Sequence, residues 1–161
     1  MNKEEILDEI NKTKEHLANM EKMLEECDNI WKPEKGKKFY YLNSYNIAIV
    51  ETWDASCSDA EHYNIYNCFK TREQAEQEAE KILIRRQLED IARRLNKGIK
   101  IDWNNTEQSK YCIELYFNNI VTNFYYGHKT QGTVYCLDEN FKDVAIQEID
   151  EERLKAYLGG E

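Results

Sequence analysis

Ile6, Ile10, Thr13, Leu17, Met20, Leu24 and Cys27 follow one another in steps of four, three, four, three, four and three. That is the heptad spacing of a coiled-coil helix, and it predicts one helix over residues 3–29. A stripe this narrow cannot be buried by its own helix. It needs the body of the chain or a second copy. Thr13 and Cys27 are weak seam residues, so an isolated zipper is marginal. The expected use is therefore an arm, residues 1–30, that pairs chains, with a dimer favoured, or docks on its own body. Trp31-Lys-Pro33-Glu-Lys-Gly36 closes this arm. The sole proline pushes residue 32 out of helical backbone, and Gly36 supplies a turn.

Beyond this boundary the pattern changes to short aromatic strands. Phe39–Leu42 and Ile47–Thr52 read as strands around the turn residues Asn43, Ser44 and Asn46, and Tyr63–Phe69 reads as a third. Thr71-Arg-Glu-Gln74 is a capping box, and the long helix it opens stops near Asn96 and Gly98. The order then repeats. Tyr111, Ile113, Leu115 and Phe117 alternate with polar neighbours, as on a strand with one buried face. Asn118-Asn119 suits a tight turn, Ile120–Tyr126 returns, Thr133–Leu137 forms a third strand, and helices run from Asp138 or Glu139 to Ile149 and onward from Asp150. The expected fold is α+β: the N-terminal coiled-coil helix, then two small antiparallel sheets each backed by a helix. The second and third segments span residues 31–98 and 99–161. Phe69, Ala75 and Ala79 match Tyr135, Phe141 and Ala145 at a constant offset, so the two units read as possible duplicates.

The long helix offers two apolar arcs. Ala75, Ala79, Ile82 and Leu83 share one; Ile84, Leu88, Ile91, Ala92 and Leu95 share the opposite one. Leu88, Ile91 and Leu95 are expected to meet Ile6, Ile10, Leu17, Met20 and Leu24 in an oligomer seam, within one chain or across a dimer. Arg85, Arg86, Arg93 and Arg94 lie on the same helix. They are candidates for holding a phosphate or nucleotide, or members of an ion-pair ladder with Glu89 and Asp90.

The net charge of −9 makes free nucleic acid an unfavoured partner, since phosphate contacts call for basic surfaces. A basic protein surface fits better. No apolar run reaches the ~18 residues of a membrane span, and the N-terminus lacks a signal-peptide pattern, so no membrane partner and a cytoplasmic location are expected. Five cysteines, an odd number without a C-x-x-C pair, read as small buried hydrophobes in a reducing compartment. No phosphate loop, zinc spacing or nucleophile elbow occurs. Cys57, Asp59, His62 and Cys68 match no usual metal site, and Cys68 with His62 is a weak nucleophile–base pair. No enzyme activity, metal or cofactor is expected. Eleven tyrosines and three tryptophans are a heavy aromatic load. Tyr40-Tyr41 and Tyr125-Tyr126 each place one ring on either side of a sheet, and with Trp53 they form the candidate partner-binding set.

The run Trp31-Lys-Pro-Glu-Lys-Gly-Lys-Lys-Phe-Tyr-Tyr-Leu42, then Asn67-Cys-Phe-Lys-Thr-Arg-Glu-Gln-Ala75, resembles a family of small uncharacterised proteins from phages and prophages of Gram-positive bacteria. The resemblance covers residues 25–117 and, more faintly, Tyr135–Leu158. It implies a non-enzymatic phage accessory protein that binds and inhibits a host defence factor, such as a CRISPR effector, in the host cytoplasm. The alternatives are an oligomeric sponge for a nucleotide immune signal and a virion or assembly component.

Overall fold

A computed structural model describes residues 31–159, together with Thr13 and Lys14. Thr13 and Lys14 are helical and exposed; the remaining seam positions, Ile6, Ile10, Leu17, Met20, Leu24 and Cys27, lie outside the described residues. The architecture is α+β, with four helices and two antiparallel two-stranded sheets among the described residues from 31 on. In chain order the elements are β1 (Lys38–Leu42), β2 (Ala48–Thr52), α1 (Cys57–Asn64), α2 (Arg72–Leu95), β3 (Lys110–Tyr116), β4 (Asn119–Tyr125), α3 (Phe141–Ile149) and α4 (Glu151–Gly159). No described helix is long and apolar enough to cross a membrane.

Among the described residues the chain divides into two compact units, 31–41 with 49–72, and 42–48 with 73–159. The boundary thus falls at the start of α2 rather than after it, because α2 supplies apolar residues to the core of the second unit.

In the first unit, Phe39 is fully buried and meets the edge of Trp53 at 5.5 Å. Trp53 in turn meets Tyr63 edge-on. Gly36 donates to the Trp53 carbonyl and Trp53 to that of Lys37, which ties the turn at Gly36 (φ 82°) to the end of β2. Of the segment expected as a third strand, only Tyr63 and Asn64 belong to a helix, the end of α1; the rest is turn and loop with one bridge, Tyr40 to Phe69. The sequence Ser56-Cys-Ser-Asp59 explains the helix. Ser56 Oγ accepts from the Asp59 amide, and the buried Asp59 carboxylate accepts from the amides of Asp54 and Ala55 at 2.8 and 2.9 Å.

In the second unit one cluster joins Ile84, Leu88, Ile91 and Ala92 of α2 to Ile113 and Ile120 of the β3–β4 hairpin and to Phe141, Ala145, Ile149 and Leu154 of α3 and α4. Leu95 packs against it. The arc on α2 is therefore core, with Leu88 and Ile91 at 3% and 1% exposure; the heptad residues expected to meet it lie outside the described residues. Leu83, expected on a buried arc, is exposed. The expected strand Thr133–Leu137 makes one bridge, between Cys136 and Tyr111.

Candidate protein-binding surface

β3 and β4 pair in register from Lys110↔Tyr125 to Tyr116↔Asn119. The two turn residues are thus Phe117 and Asn118, both with positive φ, 45° and 61°. This is one residue earlier than the Asn118-Asn119 turn expected from sequence. Two positive φ values make this a type I′ turn, whose twist matches the flanking strands. Asn118 tolerates the conformation; a bulky aromatic at Phe117 is strained there. The Phe117 side chain is 83% exposed and lies edge-on to the ring of Tyr116, with centroids 4.5 Å apart. Asn119 Nδ2 donates to the Phe117 carbonyl at 3.1 Å and holds the tip. A second exposed pair, Phe124 and Tyr126, stands edge-on at 5.5 Å where β4 ends.

Directly opposed residues share a sheet face. Ile113, Leu115 and Ile120 therefore share the face that enters the core, and Cys112, Glu114, Asn123 and Tyr125 share the other. On that second face Glu114 accepts from Asn123 Nδ2 at 3.0 Å and from the Tyr125 hydroxyl at 3.0 Å. The two donors, Asn123 first, hold the Glu114 carboxyl below the usual carboxylate range, and the same bond raises the Tyr125 phenol. Burial pushes the Cys112 thiol up to about 12, so it stays a thiol. Beneath Tyr125, the ring of Tyr135 meets Trp103 edge-on at 4.9 Å. Lys110 is wholly buried at this end. Its Nζ donates to the carbonyls of Asn105 and Tyr126 at 2.5 and 2.8 Å and lies 5.7 Å from the Trp103 ring centre. This lysine fixes the loop that carries Asn105 to the end of β4, a task no sequence pattern announced.

The candidate residues fall into three groups. Tyr126 is outward as expected, at 47% exposure. Tyr40, Tyr41 and Tyr125 are half-buried: Tyr41 stacks on His62 at 4.0 Å, and Tyr125 spends its hydroxyl on Glu114. Trp53 is not a surface residue at all; it is 4% exposed beside Phe39. The outward aromatics of the hairpin, Phe117, Tyr116 and Phe124, were missed because strict alternation assigns Phe117 and its neighbours to a continuing strand.

The arginines of α2 are largely engaged. Arg85 pairs with Glu89 at 3.1 Å, Arg93 with Asp90, and Arg94 with both Asp90 at 3.0 Å and Glu148 at 2.5 Å. A hollow of about 340 Å³ beside Arg86 is also lined by Asp90 and Glu148, so an entering anion meets two carboxylates. Burial, with the charge of Asp59, pushes the Cys68 thiol up to about 11, the wrong direction for a nucleophile. Among the described residues no group of three or more His, Cys, Asp or Glu is placed to hold a metal ion. Compared with protein-family models, curated sequences and solved structures, the chain matches none.

Proposed function

We propose that this chain is a non-enzymatic binding protein whose partner is another protein, engaged through the aromatic tip of the β3–β4 hairpin. The observation that carries this reading is Phe117: a large apolar ring held in left-handed backbone and turned to solvent. Local energetics favour asparagine or glycine at that position. An exposed aromatic kept there against its backbone preference fits a residue retained for contact. Tyr116, Phe124 and Tyr126 supply further aromatic area of the kind enriched in interface cores.

The charge of −9 supports a basic target face. The resemblance to small phage proteins supports the finer reading, a phage accessory protein that blocks a host defence factor such as a CRISPR effector. The positively charged nucleic-acid channel of such effectors is a suitable surface for an acidic ligand. In this reading the heptad arm, residues 1–30, assembles or extends the binder, and the two hairpin-plus-helix units are repeats of one plan.

The test is affinity purification of the tagged chain from phage-infected cells, with proteins and small molecules both identified by mass spectrometry. The wild type should retain a host protein that the Tyr116→Ser, Phe117→Ser double variant loses while its circular dichroism stays unchanged. Retention of that protein by the variant at wild-type level, or recovery of a nucleotide in place of a protein, would overturn the reading.

A further inference from the structure

Among the described residues the outer edge of β4 is open. Tyr111 exchanges both backbone hydrogen bonds with Cys136, at 2.7 and 2.8 Å, so its peptide groups point away from β4. In an antiparallel ladder that direction alternates along the strand. Its partner Phe124, and then Thr122 and Ile120, therefore turn their amides and carbonyls to the far side of β4. No strand pairs there among the described residues. The Phe124 amide is satisfied locally by Asn123 Oδ1 at 2.9 Å; no comparable side chain caps Ile120 or Thr122.

Natural edge strands are protected by charge, proline or bulges. β4, Asn-Ile-Val-Thr-Asn-Phe-Tyr, has neither a charge nor a proline in a chain that is 33% charged. Two copies at −9 each repel over most of their surfaces, and this edge is a place where they meet without opposing like charges. The edge is also self-complementary. A two-fold axis at Thr122 sets Thr122 opposite its own copy, a favourable cross-strand pair, and sets Ile120 opposite Phe124 of the partner subunit, an aliphatic–aromatic pair.

We propose that β4 is a homodimer edge: two copies of this chain pair antiparallel through Asn119–Tyr125 about Thr122 and join their hairpins into one four-stranded sheet. Asn123 then acts as a latch, because the Phe124 amide must leave its side chain before the outer bonds of the ladder close. Phe117 lies beyond the paired span, so the dimer displays two aromatic tips at opposite ends. The inference is independent of what those tips bind.

Sedimentation velocity of the full chain over a dilution series, with amide hydrogen exchange followed residue by residue, tests this. The mass should double with concentration, and the amides of Ile120 and Thr122 should exchange at least about tenfold more slowly in the associated state. Thr122→Pro should remain monomeric with unchanged circular dichroism, since an outward edge position tolerates proline. A chain that stays monomeric to about 1 mM overturns the proposal. So does a dimer whose Ile120 and Thr122 amides exchange as fast as in the monomer, as pairing through the heptad arm would give. If Thr122→Pro fails to fold, exchange in the wild type still decides.

Discussion

The two hairpins share a plan and differ in their finish. In each, the first strand receives one antiparallel bridge from the segment that leads into a helix: Phe69 onto Tyr40, and Cys136 onto Tyr111. The second strand of each is then an outer edge. β2 ends in Val50-Glu51-Thr52, exposed and carrying a charge, and its turn is built from Asn43, whose side chain accepts from the amides of Tyr45 and Ile47 at 2.9 and 3.0 Å. β4 is longer, neutral, and capped by a strained aromatic turn. One hairpin is finished as a protected edge. The other keeps two features that local physics disfavours, which is where function is expected to reside.

If the hairpins differ in use and not in how firmly their units are built, truncating the central ring of either unit should cost a similar amount. Phe39→Ala and Phe141→Ala, both at fully buried sites, should each destabilise by about 3–5 kcal/mol, read from denaturant midpoints. A loss below about 1 kcal/mol for one of them would mean that its unit relaxes around the cavity, and the comparison would become one of rigidity.

Lys110 separates the hairpins next. β1 opens on the exposed Lys38, β3 on the buried Lys110. Lys110→Met keeps the volume and removes the donor, leaving the carbonyls of Asn105 and Tyr126 without it. A loss of about 2–4 kcal/mol is expected, with faster amide exchange in the Asn105 loop. The same change at Lys38 should fall within about 0.5 kcal/mol of wild type. Equal effects at both positions would show that the lysine cage contributes little.

Much of this architecture is legible in the sequence, and the failures have physical causes. The turn at Gly36, the start of α2 after Thr71, and the strands β3 and β4 follow from turn chemistry and periodicity. The helix α1 was missed because its capping pair, Ser56 and Asp59, introduces a stretch with little apolar periodicity. The stripe Leu88-Ile91-Leu95 was visible, but its partner was not: an apolar arc specifies that something covers it, and α3, α4 and the β3–β4 hairpin do so here. The site was half legible. Sequence pointed to tyrosines, yet a shift of one residue in the turn decides whether Phe117 faces the core or water.

The turn itself sharpens the contrast at smaller scale. Phe117→Asn places a residue suited to positive φ at the first turn position and should stabilise the fold by about 0.5–1 kcal/mol while abolishing partner capture. Stability gained as binding is lost identifies a residue held for contact. A variant less stable than wild type would instead make Phe117 a structural part of the tip through its contact with Tyr116.

The smallest expected effect concerns the polar face of the same hairpin. Because Asn123 and Tyr125 donate to Glu114, its folded-state carboxyl lies below the unfolded one. The stability it contributes is present above the ordinary glutamate range and is lost as pH falls through that range. The Tyr125 phenol is shifted upward by the same bond, so its share is present below the ordinary tyrosine range and lost as pH rises through it. Glu114→Gln should therefore flatten both flanks of the stability–pH curve, with a change at neutral pH of less than about 1 kcal/mol at this partly solvated site. Asn123 links this face to the edge, since it donates to Glu114 through Nδ2 while its Oδ1 holds the Phe124 amide. Loosening it by protonating or replacing Glu114 should release the latch and shift the monomer–dimer balance toward the dimer; an association constant indifferent to Glu114→Gln would sever that link.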